Sequence, residues 1–183
     1  MKAIVSTKTK YSKEAVPALA KDAASQNALS LASLERIVVH VGIGKVIKDT
    51  AAIKEVVETL RAITGQAPVK TLARKSIAGF KVREGQEIGV MVTLRGQRMW
   101  DFLDRLVHIA LPRTRDFQGI TLSSVDSCGN LNIGIREHTV FPEISPEKAQ
   151  RIFGLQVTVK TSATTQAEGL ILFRALGVPL KKD

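Results

Sequence analysis

The sequence predicts a single domain in which helices cover one face of a β-sheet and leave the other face open. Three observations carry this. The segments Leu34–Gly44, Ile88–Arg95, Leu131–Glu137 and Leu155–Thr161 alternate aliphatic with small or polar residues, the period-two signature of a half-buried strand. The segments 49–63, 97–110 and 165–176 repeat apolar residues at helical spacing between cap and stop signals. Residues 1–183 show no repeat, low-complexity tract or linker-like shift, so the chain reads as one domain around one core.

In chain order, Ser12 is suited to cap a first helix reaching Asn27, with Val16, Leu19, Ala20 and Ala23 on one face. That face is weakly apolar, which predicts packing at an edge. In the first strand Ile37, Val39, Val41 and Ile43 point one way, and Val38, His40, Gly42 and Gly44 the other. Asp49 or Thr50 caps the next helix, whose stripe is Ile53, Val56, Val57, Leu60 and Ile63, and Gly65 fits a left-handed C-terminal position. Val69–Leu72 is a short strand. From Lys70 to Arg83 the charges are Lys70, Arg74, Lys75, Lys81 and Arg83, with no carboxylate, and the run has neither a helical nor a strand period. It therefore predicts an exposed basic loop, flexible and mounted on the sheet.

In the strand that follows, Val90, Val92 and Leu94 oppose Met91, Thr93 and Arg95. A helix to Ala110 buries Met99, Phe102, Leu103 and Leu106, exposes Asp101, Asp104, Arg105 and His108, and stops before Pro112. Arg113 to Ser127 reads mostly as loop, and Asp126, Gly129 and Asn130 around Cys128 as a turn. After the strand of Leu131, Ile133 and Ile135, residues 145–150 are at most a short helix. Leu155, Val157 and Val159 face inward from the last strand, and the closing helix ends at Gly177.

A net charge of +10 and a pI near 10.0 point to a polyanionic partner. Aromatic residues make up only 4%, which argues against recognition based mainly on base stacking. One cysteine, Cys128, excludes an internal disulfide and a Cys-rich zinc site, and a free thiol fits a reducing cytoplasm. No segment has signal-peptide or membrane-spanning character, so no membrane partner is expected. The outward strand residues are His40, Gly42, Gly44, Thr93, Arg95, Asn132, Gly134, Arg136, Gln156, Thr158 and Lys160. They comprise hydrogen-bonding groups, cations and glycines without an acid, a surface suited to an RNA backbone. Polar residues also face water on any one-sided sheet, and the missing carboxylates tip the balance towards binding.

Catalytic and cofactor motifs fail. Gly42-Ile43-Gly44 could open a GxGxxG turn, but its third glycine position is Ile47, and Lys45 is not followed by Ser or Thr. His40, His108 and His138 are scattered without metal-ligand spacing. No enzymatic activity, cofactor or metal is expected.

The stretches TGQAPVKTLARKSIAGFKVREG, VTLRGQRMWDFLDRL, ALPRTRDFQGI and GIREHTVFPEI closely resemble the bacterial large-subunit ribosomal protein L-five family, from Leu34 to the chain's end and more loosely before it. The resemblance implies an α+β domain with a largely antiparallel sheet of about five strands, binding 5S rRNA and contacting large-subunit rRNA. It implies a place in the central protuberance beside other large-subunit proteins, and a bridge to a protein of the small-subunit head. The residues carried over to the rRNA surface are Gln66 and Thr93, joining His40, Gly42, Gly44, Arg95, Asn132 and Arg136. The loop of Arg74, Lys75, Ser76, Lys81 and Arg83 would reach the peptidyl-site tRNA. Four departures stand out: His40 replaces an Asn, Val125–Asn130 loses an arginine, Ala32-Ser33 replaces Val-Pro, and the first helix lacks its aromatic end. Alternatives to a ribosomal constituent are a free RNA chaperone or regulator on the same fold, and a nucleotide-dependent enzyme.

Overall fold

The computed structural model describes residues 6–22, 27, 30–44, 46, 49–145 and 151–181. Its centre is one five-stranded sheet of β1 (Leu34–Gly42), β2 (Val69–Leu72), β3 (Glu87–Leu94), β4 (Leu131–Ile135) and β5 (Leu155–Thr161), in the order β2-β3-β1-β5-β4. Every strand pair is antiparallel. Together with its helices this is the α+β architecture expected. The predicted β2 and β5 match residue for residue. β1 stops at Gly42, short of the expected Gly44, and β4 stops at Ile135 before Arg136.

The helices are α1, running through Thr7–Lys10, a wide π turn Tyr11–Ala15 and Val16–Asp22; α2 (Thr50–Thr64); α3, running through Gly96–Arg105, a second π turn Leu106–Ala110 and Leu111–Arg113; and α4 (Gln166–Leu176). The inner sheet residues Ile37, Val39, Val90, Val92, Leu131 and Val157 form one buried cluster with Leu60 and Ile63 of α2, Phe102 and Leu106 of α3, and Leu172 and Phe173 of α4. Local chemistry fixes the helix ends. Asp49 accepts from the amides of Ala51 and Ala52, and Thr165 from that of Glu168. Gly65 at φ 67° and Gly177 at φ 82° close α2 and α4 in the left-handed conformation.

Two helix predictions need correction. α1 starts at Thr7 rather than at a Ser12 cap, and its Ala15 and Leu19 belong to the core rather than to an edge. Its N-terminus is held from 97 residues away: the Asp104 carboxylate accepts from the Thr7 amide at 2.7 Å and the Ser6 hydroxyl at 2.9 Å. Pro112 does not stop α3 but sits inside its final turn. Both prolines within the described helices, Pro17 and Pro112, directly follow a π turn in which Val16 donates to Tyr11 and Leu111 to Leu106. Proline cannot donate to the carbonyl four residues back and its ring crowds it; widening the preceding turn relieves that conflict without ending the helix. Ala23 lies outside the described residues, as does the short helix expected within 145–150 apart from Ser145.

Candidate nucleic-acid interface

Strand register turns the outward residues into rows. Across the middle run Thr93, Val38, Thr158 and Asn132; beside them run Val69, Met91, His40, Gln156 and Gly134. A further row joins Thr71, Gly89 and Gly42, while Arg36 and Lys160 pair at the opposite end. The centre of the face thus holds no Lys, Arg, Asp or Glu, and its hydrogen-bonding side chains alternate with Val38, Val69 and Met91. Thr158 donates to the Asn132 side-chain oxygen at 2.8 Å, and Gln66, arriving from the end of α2, donates to the Thr93 carbonyl at 3.1 Å. That contact ties Gln66 to the face.

The cations are at the ends. Arg95 follows Leu94, the partner of Ile37, so it extends the Arg36 end; Arg136 follows Ile135, the partner of Leu155, so it extends the Gly42 end. Both arginines are exposed. Six residues of strand separate the two levels, about 20 Å at roughly 3.3 Å per residue. The sequence placed them on one face but could not show that they are this far apart.

The face is also not free of acid. A bulge between Leu34 and Arg36 interrupts the alternation that would have pointed Glu35 inward, and its carboxylate lies 3.4 Å from the Lys160 amino group.

The glycines separate into two kinds. A Cβ at Gly42, Gly44 or Gly134 would meet no atom within 4 Å, and none of the three has the left-handed φ that favours glycine. Neither packing nor backbone conformation requires glycine there, so these positions leave bare backbone facing outward. Gly89, which periodicity did not single out, is different: a Cβ there would lie 2.6 Å from both the His40 Nε2 and the Thr71 hydroxyl. The His40 imidazole therefore lies down over Gly89 on the neighbouring strand. A glycine inside an alternating strand was the available signal.

The basic segment, expected to lack regular structure, is a hydrogen-bonded hairpin extension at the Gly42 end. Ala73 and Gln86 bond at 2.9 Å, and Ile77 and Val82 exchange two backbone hydrogen bonds at 2.9 and 3.2 Å. Ser76 accepts from the Glu84 amide at 2.9 Å. Lys81 turns the tip at φ 53°, a left-handed conformation that costs a non-glycine residue roughly 1–2 kcal/mol. Arg74, Lys75, Ser76, Lys81 and Arg83 are all exposed. Among the described residues no ion pair engages the four cations of this set, or Arg95 and Arg136, whereas Lys70 pairs with Glu87 at 2.9 Å.

The remaining titratable groups belong to the fold. His138 is 1% exposed and stacked on Phe153, whose amide donates to its Nδ1; burial pushes its pKa below the usual imidazole value. His108, expected at the surface, is partly buried near Asp104, and burial and then nearby Lys10 push its pKa down. Asp126 accepts from the Asn130 side chain and from the amides of Asn130 and Cys128, which holds its carboxyl below the usual range and fixes the predicted turn. No group of three or more metal-ligating side chains occurs among the described residues, and none of their helices is long and apolar enough to cross a membrane.

Known proteins resemble this chain along most of its length. A family model described as ribosomal protein L5 matches residues 27–83, and a second, describing the C-terminus of the same ribosomal family, matches residues 87–180. The chain is 47% identical over 174 residues to the large ribosomal subunit protein uL5 of Roseiflexus sp. (strain RS-1), covering 95% of this chain and 97% of that one. It is 49% identical over 175 residues to the uL5 of Anaeromyxobacter sp. (strain K), covering 96% and 97%. Over 171 residues it is 47% identical to the uL5 of Citrifermentans bemidjiense, covering 93% and 96%.

Proposed function

Since the chain belongs to the ribosomal protein L5 family, a structural, non-enzymatic component of the large ribosomal subunit, we propose that it binds 5S rRNA on the open sheet face and peptidyl-site tRNA through the basic hairpin. In this reading it also contacts large-subunit rRNA, sits among the proteins of the central protuberance, and bridges to a protein of the small-subunit head. Its place of work is the ribosome of a bacterial cytoplasm.

One observation carries the rRNA reading: three outward glycines that the fold itself does not require, set in a neutral face with cations at both ends. A ribose-phosphate strand can lie against bare backbone at Gly42, Gly44 and Gly134. There Thr93, Asn132, His40 and Gln156 offer donors and acceptors. Arg95 and Arg136 reach phosphates about 20 Å apart, and release of counterions supplies sequence-independent affinity. The hairpin supports a separate contact because its cations project beyond the sheet at one end.

Replacing residues 74–83 by a short Gly-Ser linker tests this division. 5S rRNA affinity should stay nearly unchanged, while tRNA retention or subunit association of the ribosome weakens. Loss of 5S rRNA binding would place the hairpin in the primary site and contradict the division.

A further inference from the structure

We propose that the concavity along the basic hairpin receives one unpaired nucleobase of a bound RNA, with Phe80 as its stacking surface. This rests on the reading of the chain as an RNA-binding protein. The concavity has a volume of about 700 Å³, with a wall formed by Ile77, Phe80, Val82 and Ile88. Arg74 and Lys75 also line it, and no carboxylate does. Gly44, just past the end of β1, completes the lining.

Phe80 is the unusual member. Phe102, Phe141 and Phe173 are fully buried, and Phe117 and Phe153 pack partly against the core, whereas Phe80 is 77% exposed beside a 50% exposed Ile77. The core makes no use of this ring. The Ile77–Val82 hydrogen bonds and the left-handed Lys81 immediately after it fix the tip that presents it. An aromatic face with guanidinium and ammonium groups at its rim complements a base with its phosphate, since the ring stacks while the cations neutralise the backbone. A base within a duplex has both faces covered by its neighbours, so the site selects an unpaired one. A single exposed aromatic provides for one base, in keeping with an otherwise aromatic-poor chain.

The test uses the full-length protein and two RNAs of equal nucleotide count, a hairpin with an unpaired purine loop and a blunt duplex. Wild type should prefer the hairpin. Phe80→Ala should weaken hairpin binding about 5- to 150-fold, the range for one stacked base, and leave the duplex unchanged; Phe80→Tyr should retain the preference. A concavity that instead takes an apolar protein segment predicts that Phe80→Ala affects the two RNAs equally, and that result overturns the proposal. So does a wild type that does not distinguish them. Wild type binding neither RNA would remove the RNA-binding reading itself, a different failure from losing the preference alone.

Discussion

Gly134→Ala separates folding from binding. The residue lies within β4, opposite Gln156, and a Cβ there meets nothing within 4 Å. Glycine inside a strand costs roughly 0.5–1 kcal/mol relative to alanine, so the substitution should stabilise the protein by about that amount. For a domain of this size the corresponding rise in Tm is about 1–4 °C. If an RNA backbone lies against this position, the added methyl group enters a packed contact, and overpacking costs about 1–3 kcal/mol of affinity. Thermal unfolding and filter binding to 5S rRNA at fixed salt read the two effects independently. Gly42→Ala, in a neighbouring row of the same face, should behave alike in binding. A Gly134→Ala protein that is more stable and binds as well as wild type would refute close backbone approach at this position.

Arg95→Ala and Arg136→Ala should each weaken 5S rRNA binding by about 1–3 kcal/mol, and the double variant by the sum, because sites at opposite ends of the sheet do not share partners. Strong non-additivity in a binding titration would mean that they contact one feature. Glu35→Gln frees Lys160 from its exposed ion pair and should tighten RNA binding by up to about 1 kcal/mol with a steeper salt dependence; unchanged affinity and slope would take Lys160 off the interface. His138 has a folded-state pKa below its unfolded value, so the unfolded chain binds more protons and stability falls as pH drops from about 6.5 towards the folded pKa. His138→Phe should flatten this slope in urea melts at several pH values without abolishing it, because His108 is shifted in the same direction. An unaltered slope would contradict the assignment.

Most of the fold was legible because the signals were local. Alternation located the strands, and Asp49, Gly65 and Gly177 marked helix ends with a side chain or glycines that act within a turn. What was missed depends on distant residues. Ser12 has the chemistry of a cap, but α1 begins earlier because Asp104, far along the chain, supplies the acceptors for its first turn. The same packing draws His108 away from solvent. Pro112 reads as a stop signal, and only the π turn before it lets the helix continue through it.

The candidate site follows the same division. Outward orientation could be read from alternation, and His40, Thr93 and Asn132 are where it puts them. The bulge at Glu35 breaks the parity on which that reading depends, and the separation of Arg95 from Arg136 needs the register of four strands. The basic run was recognised by its composition, whereas its hairpin hydrogen bonds pair residues in a segment without a strand period.

The central claim is that the open sheet face recognises 5S rRNA, and the direct measurement is a gel shift against a control RNA of the same length over a series of salt concentrations. The account predicts at least about tenfold tighter binding to 5S rRNA. It also predicts that log K falls with log salt at a slope of roughly −3 to −5, corresponding to about five neutralised phosphates. Equal affinity for the two RNAs, or an affinity indifferent to salt, would contradict it.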